Sequence, residues 1–151
     1  MALLRNELQT ALHDVVLACL ETADGHEAAA TILADDPLAA TLRAWAEQRR
    51  EAAARLGDIV RELDDLPPEP DADLETVREL ATWVKAALSP DQRHTVLEER
   101  RAAEAHLLDT IEQALARPDL PEHARPLLLE VRTDAARAHE QLTDLALFRD
   151  G

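Results

Sequence analysis

Four stretches of this chain repeat apolar residues at helical spacing, and prolines punctuate the joints between them. That pairing of periodicity with breakers constrains the fold more than any other feature. The first stretch runs from about Leu3 to Ala34, with Leu8, Leu12, Val15, Cys19, Ala23, Ala30 and Leu33 on one face. Asp36 followed by Pro37 reads as an N-cap and a first-turn proline, so a second helix starts there. It carries Leu38, Leu42, Trp45, Ala53, Leu56, Val60 and Leu63 inward. Gly25 and Gly57 interrupt these helices at about 1 kcal/mol each against alanine, but the stripe keeps its phase through both. LPPEPDAD, residues 66–73, ends the second helix, because three prolines cannot lie inside one. A shorter helix is expected over 74–88, LETVRELATWVKAAL. Ser89, Pro90 and Gln92 form a capping-box start for a third long helix, which runs to about Arg117 before Pro118 and Pro121. Asp119 and Glu122 open the last helix, whose first turns Pro126 either kinks or begins.

The composition agrees with a helical reading. Alanine, leucine, glutamate and arginine, all strong helix formers, dominate, whereas the material of a sheet is scarce: no tyrosine, one phenylalanine and two tryptophans. With 151 residues the chain forms one domain over 1–151 with a real core. The first and second helices, and the third and fourth, are joined tightly, while residues 65–89 form a long connection. The expected fold is therefore all-α: an antiparallel four-helix bundle, ferritin-like, with a crossover that contains a short helix between helices two and three.

The net charge of −15 excludes nucleic-acid binding, which needs cationic groups for the phosphates, and opposes adsorption to anionic membranes. No apolar run approaches the roughly 20 residues of a membrane span. The start of the chain carries neither the basic region nor the cleavage site of a signal peptide. Cys19 is the only cysteine and sits on an apolar stripe, as a core thiol in a reducing compartment would. A cytoplasmic location is expected. A further expectation is a homodimer through an exposed helix face, and nothing in the sequence identifies a protein partner.

Function turns on the polar residues that face inward. Placed at ~100° steps, Glu104 falls near the middle of the third helix's arc of Leu97, Leu107, Leu108, Ile111 and Leu115. Glu99 and His106 fall on the opposite side. His26 is central on the first stripe and Arg49 on the second. His139 lies near the edge of the fourth arc, which is formed by Leu128, Val131, Ala135, Leu142 and Ala146. With a crossover connection and a rise of 1.5 Å per residue, the four residues share a layer roughly 10 Å thick; an up-and-down bundle would spread them over about 16 Å.

Two readings of this layer compete. In one, Arg49 and Glu104 pair as a structural ion pair, with one or both histidines completing the hydrogen bonds. In the other, Glu104, His26 and His139 form a two-histidine, one-carboxylate metal site, which the fixed positive charge of Arg49 opposes. A dinuclear carboxylate centre would require Glu-x-x-His motifs, and the sequence contains none. On the second helix Glu47 and Glu51 project away from the stripe. There is no Gly-rich phosphate loop and no G-x-S-x-G. The expectation is a non-enzymatic binding or structural bundle without a cofactor, the alternative being a metal-binding or redox bundle with one divalent ion.

The stretches LETADGHEAAA, DDPLAATLRAWAEQRREAAARL, TWVKAAL, VLEERRAAEAHLLDTIEQAL and RAHEQL resemble, in order and spacing, a bacterial family of ferritin-like four-helix-bundle proteins of unknown function. The resemblance spans roughly residues 4 to 149. Within it Gln48, Arg49, Trp83, Lys85, Glu99, Glu104 and His139 stand on positions characteristic of that family, and His26 stands where an aromatic residue, commonly tyrosine, is expected. The resemblance implies the fold and no established activity.

Overall fold

The computed structural model describes residues 4–69 and 89–147. Among these, every regular element is an α-helix: α1 (Glu7–Leu33), α2 (Leu38–Glu62), α3 (Pro90–Leu115) and α4 (Ala124–Leu147). The expected short helix over 74–88, with Trp83 and Lys85, lies outside the described residues.

Each start has a local cause. Asn6 and Gln9 form a reciprocal capping box, Asn6 accepting from the Gln9 N–H at 2.7 Å and Gln9 accepting from the Asn6 N–H at 2.9 Å. The first helix thus begins at Glu7 rather than at Leu3, because the side chains that satisfy its free N–H groups are at Asn6 and Gln9. Asp36 accepts the N–H of Leu38 at 3.0 Å and so caps α2 across Pro37. Ser89 and Gln92 cap α3 as the sequence indicates. Pro126 is the third residue of α4, within the first turn, where its missing N–H would have had no partner in the helix.

The helix α1 packs against α2 and α3, α4 packs against α3 and α2, and the backbones of the two diagonal pairs stay more than 8 Å apart, Cα to Cα. Polar side-chain pairs near the surface contribute little energy but mark which ends meet. Arg5–Asp65, Arg117–Glu7 and His123–Glu62 gather at one end, and Arg93–Asp36 closes the other.

The core divides into two apolar clusters. The larger joins Leu8, Leu12, Val15 and Cys19 of α1 to Ala53, Leu56 and Val60 of α2, Leu107 and Ile111 of α3, and Leu128, Val131 and Ala135 of α4. The second joins Ala30, Leu33, Leu38, Leu42, Val96, Leu97, Leu142 and Ala146. On every helix the gap between them falls at one level, held by His26, Arg49, Arg100 and Glu104 together with small Ala23, Ala46 and Ala138. No helix among the described residues is long and apolar enough to cross a membrane.

Because the Asn6 box holds α1 at its solvent-exposed start, Asn6→Ala is expected to lower unfolding stability by about 1 kcal/mol. Urea denaturation followed by circular dichroism checks this.

Candidate functional site

Helical phase alone turns Glu104 inward from α3, and its carboxylate is fully buried. A carboxylate cannot be taken out of water without donors, and three N–H groups converge on its Oε1. His26 Nε2 lies at 2.7 Å, Arg49 Nη2 at 2.8 Å and Arg49 Nε at 3.2 Å. Arg49 is 1 % exposed and His26 0 %. Arg49 Nη2 also reaches the Asp134 carbonyl on α4 at 3.5 Å. One carboxylate oxygen thus ties α1, α2 and α3 together, and its arginine extends the connection to α4. The other oxygen, Oε2, is buried and accepts no hydrogen bond from the described residues.

A fourth participant is Arg100, which helical phase did not single out. It enters from α3 one turn before Glu104 and is 6 % exposed. Its Nη1 donates to the Thr22 carbonyl at 3.3 Å and lies 3.4 Å from His26 Nδ1, while Nη2 pairs with Glu99 at 2.9 Å. Gly25 makes room for it. A Cβ there would collide with the Arg100 guanidinium, so the glycine that weakens α1 in isolation forms the notch that admits a cation.

These contacts settle the protonation pattern of His26. A guanidinium only donates, so Nδ1 must be the acceptor facing Arg100. The single ring proton is then on Nε2 and is donated to Glu104. The neutral form is also what burial favours. Desolvation pushes the His26 imidazole below its ordinary range, overcoming the upward pull of Glu104, and the positive charges of Arg100 and Arg49 act in the same direction as burial. The Trp45 ring packs against the imidazole at 5.8 Å between centroids. The layer therefore reads Arg100→His26→Glu104←Arg49, two cations and one buried anion, with Glu99 supplying the second negative charge from the surface.

His139 does not join this layer. It is half-buried on α4, and no hydrogen bond or ion pair links its side chain to Glu104, His26 or Arg49. The inward place on that turn belongs to Ala138, 1 % exposed, and an edge residue with a short side chain does not reach the axis. Glu99, His106, Glu47 and Glu51 are exposed, as their phase requires.

The donor set does not fit a metal. A divalent ion at Glu104 would stand beside the Arg49 guanidinium, with one imidazole whose Nδ1 faces Arg100. Among the described residues no group of three or more His, Cys, Asp or Glu is placed to hold a metal ion. Cys19, buried nearby, offers no thiolate, since burial pushes its thiol up to about 12.

The chain belongs to the family of the domain of unknown function DUF2383, whose model matches residues 7–117. That match takes in α1, α2 and α3, and with them His26, Arg49, Arg100 and Glu104; His139 lies beyond it. No curated protein matches the chain, and no solved structure does.

Two outcomes follow from this geometry. Gly25→Ala should push the Arg100 guanidinium out of the notch and cost its bonds to the Thr22 carbonyl and His26, a net destabilisation of up to about 1 kcal/mol although alanine is the better helix former. In an Arg100→Ala background the same change should stabilise it by about 1 kcal/mol. Chemical denaturation of the four proteins reads that reversal of sign. The second outcome concerns pH. His26 of the unfolded chain takes up a proton near 6.5, whereas the buried ring resists it. Stability is therefore full above that pH and falls on acidification toward the lowered folded-state value, by at most about 1.4 kcal/mol per pH unit. Denaturation midpoints at pH 7.5 and 5.5 should differ more in the wild type than in His26→Gln.

Proposed function

We propose that this protein is a non-enzymatic, ferritin-like structural or binding bundle, in which a buried Arg49–Glu104–His26 layer does what a metal centre does in other four-helix bundles: it fixes the register of the helices. The observation that carries this reading is the position of Arg49. Its guanidinium makes two bonds to Glu104 Oε1 and so sets a fixed positive charge against the carboxylate, which opposes a divalent cation there. Arg100 adds a second positive charge from the opposite side of His26.

The topology of the reading rests on which ends meet. Arg117–Glu7 and Arg93–Asp36 set α1 against α3 in opposite directions, and His123–Glu62 with Arg55–Glu130 does the same for α2 and α4. The chain leaves α2 at the Glu62 end and enters α3 at the Arg93 end. This supports an antiparallel bundle with one long crossover, the connection pattern of ferritin-like folds. A buried, unpaired Cys19 suits a reducing compartment, which supports a cytoplasmic location.

Metal analysis of protein purified without chelator tests the functional reading. The expected result is a substoichiometric metal content with thermal stability unchanged by EDTA. One equivalent of iron, zinc or manganese that disappears in Glu104→Ala would overturn the reading.

A further inference from the structure

The two cations of the layer are held differently. Arg49 is clamped between Glu104 and the Asp134 carbonyl in the centre of the bundle. Arg100 reaches in from the α1–α3 seam, and its Nη2 remains paired with Glu99, whose side chain is 51 % exposed. Arg100 therefore has a surface partner already in place, and inside the bundle it occupies the notch left by Gly25.

His26 decides whether Arg100 can stay. The helix α1 packs against α2 and α3. The charged groups facing the imidazole are Arg49 from α2, and Glu104 and Arg100 from α3; the neutral Trp45 ring of α2 packs against it as well. While Nδ1 carries a lone pair, it and the Thr22 carbonyl are the two acceptors for Arg100 Nη1. A proton on Nδ1 turns that acceptor into a donor and sets cation against cation. Rotating the ring would sacrifice the 2.7 Å bond to Glu104, which protonation makes charge-assisted and stronger. Moving Arg49 would strip the buried carboxylate of two donors. Moving Arg100 gives up two long hydrogen bonds of 3.3 and 3.4 Å and keeps the pair with Glu99.

We propose that protonation of His26 expels the Arg100 guanidinium from the Gly25 notch while the bundle stays folded, so that the α1–α3 seam carries an acid-operated latch. The open state exposes the Thr22 carbonyl and the backbone at Gly25, and it leaves an imidazolium–Glu104–Arg49 cluster inside. This inference rests on the layer as read under the proposed function, and regulates that same site.

Side-chain NMR of the full-length wild-type chain between pH 7.5 and 4.5 tests it, with circular dichroism on the same samples. The His26 ring should become doubly protonated below pH 6.5 while the helical signal is unchanged. The Arg100 side-chain protons should lose protection from exchange at that same midpoint. In Arg100→Gln the His26 midpoint should move to higher pH, since one of the two facing cations is gone; if that variant does not fold, the wild-type titration alone decides. The latch is overturned if His26 stays singly protonated until helicity collapses, or if Arg100 remains protected through the titration of His26. The layer itself is read separately at pH 7.5, where a His26 ring carrying its proton on Nδ1 would contradict the assembly whatever happens in acid.

Discussion

Three N–H groups converge on a single oxygen, Oε1 of Glu104, and much of the interior is arranged around that convergence. A carboxylate with no exposure to water would be expelled from an apolar core unless its charge were matched. Arg49 matches it at 2.8 Å, and the neutral His26 adds a hydrogen bond at 2.7 Å. Their size then dictates the neighbours. Ala23, Ala46 and Ala138 on the same level leave room for a guanidinium and an imidazole, and Gly25 leaves room for a second guanidinium. The leucines that close the core are displaced to either side, which is why the apolar contacts form two clusters rather than one. Sliding any helix by one turn would set a charge against leucine and a leucine against an unmatched charge. Apolar burial supplies the drive to associate; the charged layer selects one register among several that leucine stripes alone would tolerate.

The bundle was legible in the sequence because its signals are local. Stripes at 3.6-residue spacing identified the buried faces, and Pro37, Pro90 and Pro118 with their capping residues set most of the boundaries. The inward direction of Glu104, Arg49 and His26 followed from helical phase, since all three are central on their stripes. Phase gives direction but not reach, and Arg100 and His139 show this. Arg100 lies one turn before Glu104, about 40° round the helix, and its long side chain brings a charge to the layer from the edge of the arc. His139 lies at a comparable edge with a shorter side chain and stays apart. The spacing of Arg100 from Glu104 was a usable signal. The role of Gly25 was not legible, because a notch has meaning only once the atom that fills it, on a helix 75 residues further along, is known. Asn6 was missed because a periodicity reading extends a helix until the pattern stops, whereas the capping box decides where the backbone turns.

An inward carboxylate in a four-helix bundle has two common uses, ligation of a metal and pairing with a fixed cation, and the surroundings separate them. Ligation needs further carboxylates or imidazoles with free lone pairs on the same side. Here the imidazole donates to the carboxylate through one nitrogen and accepts from an arginine through the other. Both ring nitrogens are therefore committed to protein contacts. The exterior carries most of the excess of acid, and it supplies the layer with Glu99, a surface carboxylate that balances the second buried cation.

The central claim is that Arg49 and Glu104 act as one unit, and a double-mutant cycle measures that directly. Unfolding free energies of the wild type, Arg49→Leu, Glu104→Leu and the double variant at pH 7.5 give the coupling between the two residues. Either single change leaves a buried charge unmatched and should cost about 3–5 kcal/mol, whereas the double variant should recover a large part of that loss. A coupling energy of about 2 kcal/mol or more is the predicted result. Effects that add to within about 0.5 kcal/mol would show that the two residues act independently, and would contradict the account.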